Sequence, residues 1–78
     1  MNSGNLNISG EELKKFRSIK GIKQGVFAKR LHITQQAYSK LEKQHIITGA
    51  KLGIILQVLN VSTEDLVQLR NLIDLLSA

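Results

Sequence analysis

Few side chains in this sequence have the types and spacing that catalysis or metal binding requires. The 78 residues include no cysteine and two histidines, His32 and His45, and no pair of carboxylates stands near either histidine to complete a metal site. Ser39 stands beside Lys40, but no histidine, carboxylate and nucleophile are grouped, and no glycine-rich phosphate loop precedes a helix. The sequence therefore predicts a protein that is not an enzyme and that binds no metal and no cofactor.

Side chains that could bind an anion are concentrated in one part of the chain. Residues 14–43 contain nine basic residues against Glu42 alone, a net charge of +8, whereas the whole chain carries +5. A basic segment joined to a neutral, apolar one is typical of a surface that binds a polyanion. The same charges also fit a solvated basic face with no partner, and charge alone leaves both interpretations open.

The length and composition describe one small domain. A chain of 78 residues is one domain at most, with a core that supports only modest stability. The absence of cysteine fits a reducing compartment, and residues 1–9 lack the basic start and the apolar run of a signal peptide. Every apolar run is too short to cross a membrane. We therefore expect a cytoplasmic protein without a membrane partner.

The spacing of hydrophobic residues predicts an all-α fold. The sequence has no proline, and apolar residues recur at intervals of three and four. We expect residues 1–9 to form a disordered tail and residues 10–78 to form a single domain. Ser9 with Glu12 three residues later is the pattern of a capping box that starts the first helix, and Gly21 is well placed to end it.

Four more helices follow from the same criteria. The second spans about residues 24–31, and Thr34 is the expected N-cap of the third. Thr48 is expected to cap the fourth helix, Asn60 to end it, and the fifth helix occupies about residues 62–77. The residues expected to face the core are Leu13, Phe16, Ile19, Phe27, Ala28, Leu31, Ala37, Tyr38, Leu41, Leu52, Ile55, Leu56 and Leu59.

The second and third helices have the features of a pair that holds its second helix out from the body of the protein. Such a pair needs a polar residue at its start, a small residue where the helices cross, a turn residue that tolerates a positive φ, and apolar anchors behind the second helix. These positions are occupied by Gln24, Ala28, His32, Tyr38 and Leu41. An α-helix presented in this way fits the major groove of DNA.

The stretch from Gln24 to Glu42 resembles the helix-turn-helix of the Cro and phage-repressor proteins, the Xre-like family. Residues 59–62 are similar to the family's junction between its last two helices, so the resemblance covers residues 11–66. The sequence departs from the family at His32, where glycine is usual, and at Tyr38, where a branched aliphatic is usual and whose hydroxyl we expect to reach solvent or phosphate. The resemblance implies a compact five-helix, repressor-like domain and a small bacterial or phage regulator that binds double-stranded DNA.

The resemblance also implies which side chains meet the DNA. The residues expected to face the major groove and read bases are Gln35, Gln36, Ser39 and Lys40. The residues expected to contact phosphates are Lys23, Gln24, Lys43, Gln44 and His45. The chemistry agrees, because a glutamine amide pairs bidentately with adenine and a lysine donates to guanine. A glutamine pair at a helix start is also an ordinary solvated feature, which is the alternative for Gln35 and Gln36.

Arg17 and Glu42 flank the predicted helix pair and carry opposite charges. We expect them to form a structural ion pair that ties the first helix to the end of the third. A phosphate contact made by Arg17 is the alternative.

The last helix has a wider apolar seam than a single small chain needs. Its apolar residues follow a 3-4-3 spacing, and exposed apolar patches of this size usually meet a partner. Proteins that read DNA with two-fold symmetry also need two copies. The residues expected to form a dimer interface are Leu66, Leu69, Leu72, Ile73 and Leu76. The alternative is that this helix folds entirely onto the first and fourth helices of its own chain.

The sequence as a whole predicts a sequence-specific, double-stranded DNA-binding transcription regulator that forms a homodimer and acts as a repressor on a pseudo-palindromic operator. Because the chain has no room for a sensor domain, its control would come from its concentration, a modification or a second regulatory protein. One alternative is a restriction-modification controller protein or an antitoxin of the same fold. Another, from a different class, is a protein-interaction module that uses the last helix.

Overall fold

The computed structural model describes residues 6–77, apart from the side chain of residue 77. The helices in this part of the chain are α1 (Gly10–Ile19), α2 (Gln24–Arg30), α3 (Gln35–Leu41), α4 (Gly49–Leu59) and α5 (Thr63–Ser77), and the strands are β1 (Asn7–Ile8) and β2 (Ile47–Thr48). These five helices confirm the predicted all-α architecture, and the short sheet was not expected. Over residues 6–77, no helix is long and apolar enough to cross a membrane.

Polar side chains at the helix starts explain where most of the helices begin. The Ser9 hydroxyl accepts from the Glu12 amide and the Glu12 carboxylate accepts from the Ser9 amide, both at 3.0 Å, which confirms the predicted capping box. The Thr34 hydroxyl accepts from the backbone amide of residue 37 at 3.0 Å at the start of α3. Thr48 departs from expectation, because its hydroxyl makes no capping bond to α4 and instead donates to the Leu6 carbonyl at 3.3 Å.

Three residues adopt left-handed backbone conformations at the positions where the sequence predicts a helix end or a turn. Gly21 follows α1 with φ +71°, and Asn60 ends α4 with φ +56°. His32 lies in the turn between α2 and α3 with φ +60°, at the position where the Xre-like pattern favours glycine. A histidine enters this region at a modest energetic cost, so the turn is retained without glycine.

The core lies where the five helices meet, and its largest members are aromatic. Tyr38, Phe16 and Phe27 are at most 1% exposed. Two residues expected in the core lie outside it, because Ile19 is 54% exposed and Ala37 is exposed on the outer side of α3. The other buried hydrophobic residues are Ile8, Leu13, Ala28, Leu41, Ile47, Leu52, Ile55, Leu56, Leu59, Val61 and Leu66.

The segment before α1 is ordered where it was expected to be disordered. Residues 1–5 of the predicted tail lie outside the described residues, but for residues 6–9 the prediction is wrong. β1 pairs antiparallel with β2, Ile8 lies opposite Ile47, and both side chains are at most 1% exposed. This short stretch is ordered because Ile8 is buried in the core and Leu6 packs against the core.

Gly10, the first residue of α1, brings this helix unusually close to the end of α3. A Cβ atom at Gly10 would overlap the Leu41 carbonyl oxygen and lie 2.5 Å from the carbonyl oxygen of Glu42, both of which are backbone atoms. The Gly10 amide donates to the Gln44 carbonyl at 2.7 Å. Glycine is required at this position because only a residue without a side chain permits the contact.

Glu12 fastens α5 to the start of α1. The Arg70 guanidinium donates to the two carboxylate oxygens of Glu12 at 2.7 and 2.9 Å, so the capping carboxylate also holds the last helix. The hydrogen bond from Arg70 is the main cause that lowers the pKa of Glu12, and it outweighs the opposing effect of burial. The contact joins residues that are 58 positions apart.

We expect acid to weaken this contact. Because the pKa of Glu12 lies below its ordinary value of 4.5, the folded protein binds fewer protons than the unfolded protein between these two values. The stabilisation is therefore complete above about pH 5 and is lost as the pH falls through the lowered pKa. In urea titrations, Glu12→Gln should lower the midpoint near neutral pH and flatten the loss of stability in acid.

Arg70→Gln is the matching variant, because it removes the donor and leaves the carboxylate. It should flatten the acid dependence in the same way as Glu12→Gln. A wild-type pH dependence in both variants would contradict the assignment of this pair.

Candidate nucleic-acid interface

Helices α2 and α3 form a tightly packed unit across a short turn. The rings of Phe27 and Tyr38 lie 5.0 Å apart between their centroids, and Ala28 is 1% exposed where the helices meet. The Ile33 amide donates to the Ala28 carbonyl at 3.1 Å, which closes the turn around His32. The two helices therefore move as one body, and α3 has a fixed orientation relative to α2.

The outward side of α3 carries the side chains predicted to read bases. Gln35, Gln36 and Lys40 are exposed, and Ser39 is half-buried. A shallow concavity lies on this side of the helix, and its lining consists of Gln24, Thr34, Gln35, Gln36 and Ser39. All of these residues are neutral hydrogen-bonding groups, so the concavity offers donors and acceptors without a carboxylate that would repel phosphate.

A chain of hydrogen bonds connects this face to α1. Gln35 Nε2 donates to Gln24 Oε1 at 3.3 Å, and Gln24 Nε2 donates to Glu42 Oε1 at 3.1 Å. Glu42 Oε2 accepts from Arg17 Nε at 2.7 Å, and Arg17 Nη1 donates to the Ile22 carbonyl at 2.8 Å. Gln24, which was expected to contact phosphate, therefore has its amide oriented by two partners within the protein.

Arg17 and Glu42 lie mostly out of contact with water. Their side chains are 13% and 6% exposed, and the shortest distance between them is 2.7 Å. Burial by itself raises the pKa of Glu42, but the hydrogen bonds that Arg17 and Gln24 donate, together with the proximity of the Tyr38 hydroxyl, outweigh burial and lower this pKa. Glu42 is therefore held as a carboxylate that three side chains from three helices surround.

The Tyr38 hydroxyl was expected to reach solvent or phosphate, and this is wrong. Tyr38 is completely buried, and its hydroxyl makes no hydrogen bond in the described part of the chain. Burial raises the pKa of this hydroxyl well above its usual value, with the neighbouring Glu42 carboxylate adding to the rise. The ring fills the space behind α3, so packing accounts for the residue at this position.

The residues predicted to contact phosphates lie at two separate places. Lys23 is exposed at the N-cap of α2, next to the half-buried Gln24. Lys43, Gln44 and His45 are all exposed in the loop that follows α3. The structure thus places cationic or amide side chains on both flanks of the outward face of α3.

Sequence reasoning missed Lys51 and the strand before α1. Lys51, on α4, is exposed and lines a groove between α3 and α4 together with Gln36, Lys40 and Gln44. The groove has an apolar floor that includes Ile54, and within the described residues no carboxylate lines it. The basic charge of Lys51 was visible in the sequence, but only the packing of α4 beside α3 brings it to this face.

We expect Arg17 and Glu42 to be energetically coupled. Arg17→Met and Glu42→Gln should each lower the free energy of unfolding by about 3 kcal/mol, because each leaves a buried polar partner unpaired. The double variant should lose less than the sum, by about 0.5–3 kcal/mol, in urea titrations.

Lys15 and Glu11 provide a matched control, because they form an ion pair at 3.8 Å with side chains that are 44% and 79% exposed. Their coupling energy should stay within about 0.5 kcal/mol of zero. Additive losses at Arg17 and Glu42 would show that the buried pair is not a coupled unit.

Comparison with known proteins agrees with this geometry. No curated protein and no solved structure matches the chain. The helix-turn-helix family profile matches residues 13–66, which is more than half of the 78 residues and reaches from α1 into α5. The chain therefore belongs to the Xre/Cro-like family of DNA-binding helix-turn-helix proteins.

Proposed function

We propose that this protein is a sequence-specific transcription regulator that binds a pseudo-palindromic operator as a homodimer and represses by excluding polymerase. The observation that carries the proposal is the outward face of α3. It presents Gln35, Gln36 and Lys40 to solvent, and the hydrogen-bond chain from Gln35 through Gln24 anchors it to the rest of the domain. A rigid helix that exposes amide and ammonium groups fits direct readout of base edges.

The dimensions of α3 suit the major groove. The helix has seven residues, so it is about 10 Å long, and the groove is about 12 Å wide. Gln36 and Lys40 are four residues apart and lie about 6 Å from one another along the helix axis. They would therefore contact bases about two steps apart, with Gln36 paired to adenine and Lys40 to guanine.

Gln35 is favoured as a base-reading residue because its amide is already oriented. Its Nε2 atom donates to Gln24, and that bond restricts the rotamers of both side chains before DNA arrives. A side chain restricted in this way loses less conformational entropy on binding than a free one. The same contact supports Gln24 as a residue that orients Gln35, in addition to a contact with phosphate through its remaining amide hydrogen.

Phosphate contacts on both sides of α3 would supply affinity and register. Lys23 lies on the α2 side, Lys43, Gln44 and His45 lie in the loop after α3, and Lys51 lies on the α4 side. Contacts of this kind carry no sequence information but fix the orientation of the protein on the duplex. Two flanks of donors match the two phosphate backbones that border a major groove.

The apolar surface of α5 supports a homodimer, but with different residues from those expected. Leu66 is completely buried in the single chain and is therefore a core residue, and Leu69 and Ile73 are half-buried against the core. The exposed apolar residues on one side of α5 are Leu72 (49%), Leu75 (75%) and Leu76 (78%), with Ile19 (54%) on α1, whereas the exposed Val67 lies on the other side of α5. For operator binding, a second copy that covers this face must bring the two α3 helices to successive major grooves, about 34 Å apart.

Selection of bound sites from a random oligonucleotide pool tests this function. Recovery of one sequence with two-fold symmetry supports the proposal. Recovery of unrelated sequences with salt-dependent affinity would leave only non-specific DNA binding. Absence of binding, together with exposed leucines on α5, would favour the protein-interaction module.

We expect Gln36→Ala and Lys43→Ala to affect DNA binding differently. Gln36→Ala should cost about 1–3 kcal/mol at the selected operator and little on scrambled duplex, because it removes a base contact. Lys43→Ala should weaken both complexes by a similar factor and make the slope of log K against log salt shallower by about 0.9. Titrations of each variant against both duplexes at two salt concentrations measure these effects.

Gln57→Ala is a control, because Gln57 is an exposed glutamine near the end of α4 and outside the grooves beside α3. It should leave both affinities unchanged. If Gln36→Ala weakened both duplexes equally, the glutamine would position the protein and would not read sequence.

The dimer is expected to depend on the exposed leucines of α5. Leu72→Glu combined with Leu76→Glu should give a monomer in sedimentation equilibrium and weaken operator binding, because charged side chains would be buried at the interface. Val67→Glu is the matched control: Val67 is 49% exposed but lies on the other side of the same helix. A wild-type monomer at micromolar concentration would refute the interface.

A further inference from the structure

The loop between α3 and α4 is attached at both of its ends to residues 6–10, which precede α1 and include its first residue. At the first end, the Gly10 amide donates to the Gln44 carbonyl at 2.7 Å. At the second end, β2 pairs with β1, and the Thr48 hydroxyl donates to the Leu6 carbonyl at 3.3 Å. Both attachments come from residues 6–10, which we name the N-terminal strap.

From Lys43 to Ile46 the loop turns its side chains to solvent. Lys43, Gln44, His45 and Ile46 are all exposed, whereas Ile47 is buried against the strap. The Lys43 and Gln44 amides donate to carbonyls at the end of α3, both at 3.1 Å, and the strap restrains the loop through the Gln44 carbonyl and through β2. A loop held in this way presents Lys43 and Gln44 at fixed positions relative to α3.

The contact at Gly10 is close enough to be a precise restraint. The first amides of a helix have no partner within it, and the Gln44 carbonyl accepts one of those of α1. A Cβ atom at Gly10 would lie 2.5 Å from the Glu42 carbonyl oxygen, so any side chain there must displace the backbone at the end of α3. This contact therefore fixes the start of the loop relative to the start of α1.

We propose that the N-terminal strap holds the loop after α3 in the conformation that contacts DNA phosphates, so that residues which do not touch DNA set part of the affinity for it. This inference rests on the proposed DNA binding. Gly10 and Ile8 are positioning residues in this proposal, and the groups that they position are Lys43 and Gln44. Since phosphate contacts act on any sequence, the strap contributes to non-specific and specific binding alike.

The test uses Gly10→Ala in the full chain and a mixed-sequence duplex of about two helical turns, titrated over a range of salt concentrations. The variant should bind more weakly than wild type, and its slope of log K against log salt should be shallower by about 0.9 for each phosphate contact that is lost. Lys43→Ala should then change the slope little in the Gly10→Ala background, although it changes the slope in wild type. A purely structural loss would not remove the effect of Lys43.

Gly53→Ala is the matched control, because Gly53 lies on α4 and a Cβ atom there meets nothing within 4 Å among the described residues. It should keep the affinity and the salt slope of wild type. A Gly10→Ala protein that is folded by circular dichroism and keeps both properties would overturn the proposal. A wild-type protein without salt-dependent binding would instead refute the proposed function.

Amide hydrogen exchange on wild type decides the question if Gly10→Ala does not fold. If DNA binds the loop only while the strap holds it, binding must stabilise the strap. The Gly10 amide should then exchange with solvent about tenfold more slowly, or slower still, in the complex. The Leu66 amide, which donates to the Ser62 carbonyl at 2.9 Å far along the chain, reports any global effect and should be slowed less. Equal slowing of the two amides, or no slowing at Gly10, would overturn the proposal.

Discussion

The ion pair between Arg17 and Glu42 is the contact on which the arrangement of the first three helices depends. Arg17 belongs to α1, Glu42 caps the end of α3, and Gln24 at the start of α2 donates to the same carboxylate. The Glu42 side chain is 6% exposed, so water cannot take the place of these donors. Loss of a donor would leave a buried charge without its partner. The same carboxylate is connected to the outward side of α3, because Gln24 also accepts a hydrogen bond from Gln35.

Helix α1 holds the remaining parts of the domain at successive turns. Its first residue, Gly10, contacts the loop after α3, Glu12 binds Arg70 of α5, and Arg17 binds the end of α3. These contacts join segments that are distant in sequence, so α1 connects the loop after α3, the end of α3 and α5. The proposed homodimer would need a fixed distance between α3 and α5, and α1 contacts both of these elements.

The surfaces proposed to bind DNA and a second copy differ in composition. Basic and amide groups lie around α3, where Lys40, Lys43 and Lys51 are exposed without a carboxylate in the adjoining groove of the described residues. The far part of α5 instead exposes Leu72 and Leu76. Ile19 and Leu76 share a groove with Glu11, Lys14 and Lys15, so charged side chains of both signs border this apolar surface.

Local features could be predicted from the residues alone. They are the capping box that starts α1, the left-handed residues Gly21, His32 and Asn60, and the order of small and apolar positions in the helix-turn-helix. Each of these is decided within a few residues by backbone sterics or hydrogen bonding, so pattern is sufficient. The burial of Ile8 in a strand and of Leu66 in the core could not be predicted in this way, because the burial of a side chain depends on which distant part of the chain packs against it.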